Sequence, residues 1–227
     1  MVAVLGMRGV KASQVVEFAF LAVAATAVYK FVRMGVDAEG RRVCSTLCAL
    51  GPDYAGRNRT APDFDLPALR GGRVRLSDYR GQVVILNFWT KTCAPCLEEM
   101  ASLAELGRSL RGRRDIVLLT VSTDPSFDDV RATLQSALGG DPPFAVLLDP
   151  EADVVTGKFG TKLFPETWYI DGAGVIRARV DGARDWSQPL SLQFAESLRD
   201  RVACDLTFRQ GRATGPDASR CEARLGG

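Results

Sequence analysis

Two apolar runs, VVILNFW at Val83–Trp89 and IVLLTVS at Ile116–Ser122, lack the polar alternation of a half-exposed strand. They predict strands buried on both faces of a sheet. Between them Leu97, Met100, Leu103, Leu106 and Leu110 recur at spacings of three and four, the apolar stripe of a helix packed on that sheet. A second amphipathic helix is expected at Phe127–Leu138 after Asp124-Pro125, and a third strand at 144–148. A short helix over 153–159 precedes strands at Glu166–Ile170 and 175–180, which the Asp171-Gly172 turn joins as an antiparallel hairpin. A helix over 187–202 closes the set, and residues 74–76 add a short strand near its start. Strands alternating with helices, then a hairpin and a last helix, imply an α/β fold with a mixed central sheet covered on both faces. No internal repeat is visible.

The flanks have a different texture. FAFLAVAATAVY, residues 18–29, is an uncharged apolar run with Arg8 and Lys11 before it and Lys30 and Arg33 after it. Residues 1–36 are therefore expected to be a signal peptide or a membrane anchor, with Ala25-Thr26-Ala27 as the small-residue cleavage site in the first case. Residues 37–60 are rich in Gly, Pro and Arg and predict a linker carrying Cys44 and Cys48. The compact domain is expected over 61–203. Residues 204–227 lose periodicity and read as a tail, which a bridge between Cys204 and Cys221 could close into a loop.

The 227 residues are 46% hydrophobic, as in an ordinary globular core. A formal charge of +2 gives no basic stripe for a phosphate backbone, so nucleic acid is not an expected partner. Histidine is absent, which removes Ser-His and Cys-His catalysis, His-ligated zinc and imidazole haem ligation together. Proton chemistry must use carboxylates, lysines or thiols. The six cysteines sit in sequence as Cys44 with Cys48, Cys93 with Cys96, and Cys204 with Cys221. An even count beside a candidate export segment points to an oxidising compartment.

The pair in WTKTCAPCLEEM stands between the buried strand and the helix, with Pro95 in the first helical turn, where its missing N–H costs nothing. At that position the helix dipole and the unpaired amides stabilise a Cys93 thiolate, making Cys93 the expected nucleophile. Cys96, one turn on, is placed to resolve a mixed disulfide and should be the more buried. A metal site would need four ligands, which the CxxC could complete only by borrowing Cys44 and Cys48. A structural staple is the third reading of the pair.

The stretch NFWTKTCAPCLEEM, with APDFDLPALRGGRVRLSDYRGQ before it and FPETWYIDGAGVI after it, resembles the TlpA/ResA-like thioredoxin-fold thiol-disulfide oxidoreductases of the redoxin (AhpC/TSA) superfamily. That resemblance covers about residues 61–202. It implies a thioredoxin-like fold, Pro165 as a cis-proline facing the active-site disulfide, and a Phe164 backbone that pairs with an extended substrate peptide as an added strand. It also makes Glu99 the acid that handles protons near the cysteines, beside the alternative that Glu98 and Glu99 only complement the helix N-terminus. Three positions bear on the match: Thr92 replaces the tryptophan usual before the first cysteine, Asn87 stands where thioredoxins bury an aspartate, and Lys91 is available to the Cys93 thiolate but reads as an exposed loop lysine.

The function so implied is a disulfide reductase acting on thiol- or disulfide-bearing proteins, needing no cofactor or metal and recharged by a membrane electron donor. Its expected place is outside the cytoplasm, on the periplasmic side of a bacterial inner membrane, held there through the N-terminus. Two alternatives stay open. A peroxiredoxin-like peroxidase shares the APDF…LSDYRG opening, and Thr90 has the spacing to Cys93 of the peroxidatic motif, although Leu86 stands at its proline position. A copper-binding, Sco-like assembly factor would use Cys44-x-x-x-Cys48 but would lack the histidine such sites need.

Overall fold

The computed structural model describes residues 12–50, 59–199, 204, 206–209 and 212–222. The chain divides into two compact units, one up to Arg41 and the other from Arg42 onward.

In the first unit the helix α1, Ala12–Leu50, begins. Its segment Phe18–Val36 is long and apolar enough to cross a membrane, and every side chain in it is exposed. Such a surface is stable in hydrocarbon rather than in water.

The second unit is built on a five-stranded sheet of order β5-β4-β3-β6-β7. Its strands are β3 (Val83–Trp89), β4 (Ile116–Ser122), β5 (Ala145–Leu148), β6 (Glu166–Ile170) and β7 (Ile176–Asp181). β3, β4 and β5 are parallel; β6 runs antiparallel to β3, and β7 runs antiparallel to β6 and so in the direction of the other three. All seven β3 side chains are buried. Ile85 and Trp89 point to one face, with α2 (Ala94–Ser109), α3 (Phe127–Leu138) and α4 (Pro189–Ser197) contributing to the same core. Val84, Leu86 and Phe88 point to the other, against Phe64, Leu66, Val155 and Phe159. Each such side chain contributes about 1.5–3 kcal/mol on burial. A small antiparallel pair, β1 (Asp65–Pro67) and β2 (Arg73–Arg75), lies ahead of this sheet.

Differences from the sequence expectations concern the flanks. The strand expected at 74–76 is one residue earlier and pairs with β1, which had no apolar pattern to reveal it. Residues 37–50 are not a linker: α1 runs through them to Leu50 without a break. Cys44, Leu47 and Leu50 recur at helical spacing and are buried in the first core, which supplies the burial that the polar, Gly-containing composition obscured. The rest of the expected linker, 51–58, lies outside the described residues.

The outer cysteines also pair differently. Disulfides join Cys44 to Cys204 and Cys48 to Cys221, so the tail is not closed on itself but tied to the end of α1. Cysteines four apart on a helix share one face, and here both look toward the tail instead of toward each other. The tail itself contains a hairpin, β8 (Thr207–Arg209) with β9 (Arg212–Thr214), and a single turn, α5 (Ser219–Glu222). The closing helix expected to reach 202 is described as α4 to Ser197; residues 200–203 lie outside the described set.

Candidate active site

β3 ends at Trp89 and delivers the chain into a short loop whose shape is set by Asp124. That buried carboxylate accepts the Thr90 hydroxyl and the Lys91 N–H, each at 2.8 Å. The loop therefore enters α2 in one conformation, with Cys93 as the N-cap in extended backbone and Pro95 in the first turn. Lys91 turns away to pair with Asp129, so its charge is directed to α3.

Cys93 and Cys96 form a disulfide, with Cα atoms 5.3 Å apart. The Cys93 sulfur also accepts the Cys96 N–H at 3.1 Å, a helix N-terminal amide aimed at the sulfur that must carry negative charge when the bond opens. Cys93 is partly exposed and Cys96 is fully buried. An incoming sulfur can therefore reach the first and not the second.

Glu99, one turn beyond Cys96 and only 3% exposed, is held from three sides. Asn87 Nδ2 donates to Oε1 at 2.9 Å; Trp186 Nε1 at 2.7 Å and the Arg184 N–H at 3.1 Å donate to Oε2. Burial pushes the Glu99 carboxyl above its ordinary range, and these donors pull against it. Asn87, which also donates to Thr167 Oγ1 at 2.9 Å, leaves its own Oδ1 with no partner among the described residues.

The Phe164–Pro165 peptide is cis. Phe88 stands opposite Glu166, so β3 leaves the sheet toward the CxxC at the same end at which Pro165 enters it. Pro165 is buried and its carbonyl accepts the Gly182 N–H at 2.9 Å. Among the described residues neither backbone group of Phe164 has a partner, and the preceding Leu163 is 81% exposed.

The five residues singled out from sequence thus fall at one end of the sheet. Four others at that end were not: Asp124, Arg184, Trp186 and Glu166. Glu166, on the opposite face from Glu99, is a second buried carboxyl raised by burial and bonded by the Thr161 hydroxyl. Its place directly after Pro165 was the one signal available in the sequence. Trp186 and Arg184 reach Glu99 across more than eighty residues and carry no local pattern.

Comparison with known proteins agrees with this geometry. Residues 58–179 match the AhpC/TSA family. The chain is 33% identical over 124 residues to the thiol-disulfide oxidoreductase ResA of Geobacillus thermodenitrificans, covering 54% of this chain and 68% of that one. It is 31% identical over 189 residues to the thiol:disulfide interchange protein DsbE of Allochromatium vinosum, covering 81% and 88%. The crystal structure of the exposed lipoprotein thioredoxin Etrx1 of Streptococcus pneumoniae superposes with a TM-score of 0.52 at 28% identity, over 60% of this chain and 100% of that one. A thioredoxin-like sheet, a disulfide at the strand-to-helix junction and these similarities together place the chain in the AhpC/TSA family, among its thiol-disulfide oxidoreductases of the ResA and DsbE kind.

Proposed function

We propose that the protein reduces disulfides in partner proteins, with Cys93 as nucleophile and Cys96 as resolving thiol. In the reduced enzyme the Cys93 thiolate attacks one sulfur of a partner disulfide, giving a mixed disulfide and a partner thiolate that takes a proton from solvent. Cys96 then gives its proton to Glu99, attacks the Cys93 sulfur and expels the second partner thiolate. Two electrons have passed to the partner, and the enzyme is left in the disulfide form seen here. The observation that carries this reading is the asymmetry of the pair: Cys93 open at a helix N-terminus, Cys96 buried one turn from a buried acid.

The unpaired Phe164 backbone, beside a buried Pro165, supports a substrate segment adding as a strand at this end of the sheet. The helix Phe18–Val36, apolar and long enough to span, supports a membrane anchor, and the two outer disulfides support a location on the oxidising side of that membrane. A dithiol donor in the membrane would then return the enzyme to its reduced form.

The Thr90 hydroxyl is bound to Asp124, which takes it out of the role the peroxidase alternative requires. The Sco-like alternative needs Cys44 and Cys48 as free thiols, and each is in a disulfide. The test is a Cys96→Ser variant of the full chain. It should accumulate mixed disulfides through Cys93 with proteins of the membrane's outer side, whereas Cys93→Ser should capture none. Rapid peroxide consumption by the reduced protein, with no disulfide-bearing protein accepted, would overturn the reading.

A further inference from the structure

The loop between β7 and α4 has no part in the sulfur chemistry, yet it is fastened to the acid of the site. Trp186 is 1% exposed, its backbone N–H donates to Ser102 Oγ at 3.1 Å, and its indole N–H reaches Glu99 Oε2 at 2.7 Å. Ser102 Oγ in turn lies 2.8 Å from the Glu99 carbonyl and 3.3 Å from that of Arg184. Three N–H groups thus converge on the Glu99 side chain, and all three can only donate in the arrangement seen. A carboxylate satisfies them all. A protonated Glu99 keeps only a weak acceptor on its hydroxyl oxygen and has an O–H to place, which a turned Asn87 amide could receive on its unused Oδ1.

We propose that Trp186 is the positioning residue for Glu99: its indole N–H fixes Oε2 and holds the acid in the ionised form that accepts the Cys96 proton. This rests on the reading of Glu99 given above. Burial of Glu99 favours its neutral form, and a buried donor bonded to a charged acceptor is among the stronger opposing interactions. Trp186 offers that donor from a ring that cannot also accept.

Among the described residues the ionisable groups around Glu99 are few. α2 supplies Cys93 and Cys96, and the loop supplies Arg184 and the exposed Asp185. The Tyr169 phenol shares this core from β6, and Glu166 faces the opposite side of the sheet. β3 contributes only the neutral Asn87, and Glu196 of α4 is paired with Arg113.

The experiment uses the full chain in detergent with labelled glutamate carboxyls and tryptophan indoles, in its disulfide form. In the wild-type protein the Trp186 indole N–H resonance should change with pH at the same midpoint as the Glu99 carboxyl, which Glu99→Gln identifies. In Trp186→Phe, which keeps a ring and removes the donor, the Glu99 midpoint should rise by about one pH unit. An indole resonance insensitive to Glu99 ionisation would overturn the inference without need of the variant. So would an unmoved Glu99 midpoint in a folded Trp186→Phe. The pH dependence of mixed-disulfide resolution separates the two claims. If Glu99→Gln leaves its acidic limb in place, the role of Glu99 fails and the inference with it. If Glu99→Gln abolishes that limb while Trp186→Phe leaves the Glu99 midpoint unchanged, only the inference fails.

Discussion

Cys93 and Cys96 differ in their surroundings and not in their chemistry, and the roles proposed for them rest on those surroundings. The first caps a helix at the surface; the second is buried one turn below it. Glu99 brings a cost with its place. Its carboxyl is raised by burial, so the folded state binds that proton more tightly than the unfolded chain does. Stability from this group is greatest at low pH and falls as pH rises from the ordinary carboxyl range through the raised folded value. Glu99→Gln should therefore melt higher than wild type at neutral pH, by about 2–4 °C if the cost is about 1 kcal/mol. The gain should shrink as pH falls from the raised folded value to the ordinary carboxyl range, as thermal unfolding at several pH values would show. Gln keeps an oxygen for Trp186 and Arg184, and its amide can meet a turned Asn87. A variant less stable than wild type at neutral pH would mean that the three donors outweigh burial. The closeness of Cys93, Cys96 and Glu99 was legible in sequence because they lie on one helix and its N-cap, where spacing gives geometry, while the role proposed for Glu99 came from the family resemblance. Trp186 and Asp124 were not, because each acts from a different segment of chain that only the fold brings near.

The elements divide along the same line. β3, β4, α3 and β6 stand where their patterns put them, since a fully buried strand or an amphipathic helix writes its environment into consecutive residues. The end of α1 and the tail do not, because what holds them is each other. The two disulfides between them are coupled in energy as well as in space. Cys44–Cys204 spans 160 residues and Cys48–Cys221 spans 173, but once either is closed the other closes only a ring of about 20 residues. Removing one bridge by paired Cys→Ser substitution should cost about 3 kcal/mol in the chain-entropy description, and removing both should cost distinctly more than twice that of a ring alone, because the long loop then opens. Denaturant unfolding of the two single and one double bridge variants checks this. Equal, additive losses would show that the bridges do not share one loop.

On the scale of the molecule, an apolar helical segment and a redox domain are parts of one chain, and the proposed anchor makes a simple demand. After alkaline washing of membranes the full-length chain should remain in the membrane fraction; release of a shorter chain lacking the N-terminal segment would indicate a cleaved leader instead. The central claim is that one disulfide of the three, Cys93–Cys96, works as a reversible two-electron centre of reducing character. Its most direct test is a redox titration of the full chain in detergent, with every cysteine alkylated and mapped at each poise. Cys93 and Cys96 should titrate together at about −250 mV or below, near thioredoxin's value, while Cys44, Cys48, Cys204 and Cys221 stay oxidised. A midpoint near about −120 mV would make the protein an oxidant of its partners, and failure of Cys93 and Cys96 to titrate as a unit would contradict the account outright.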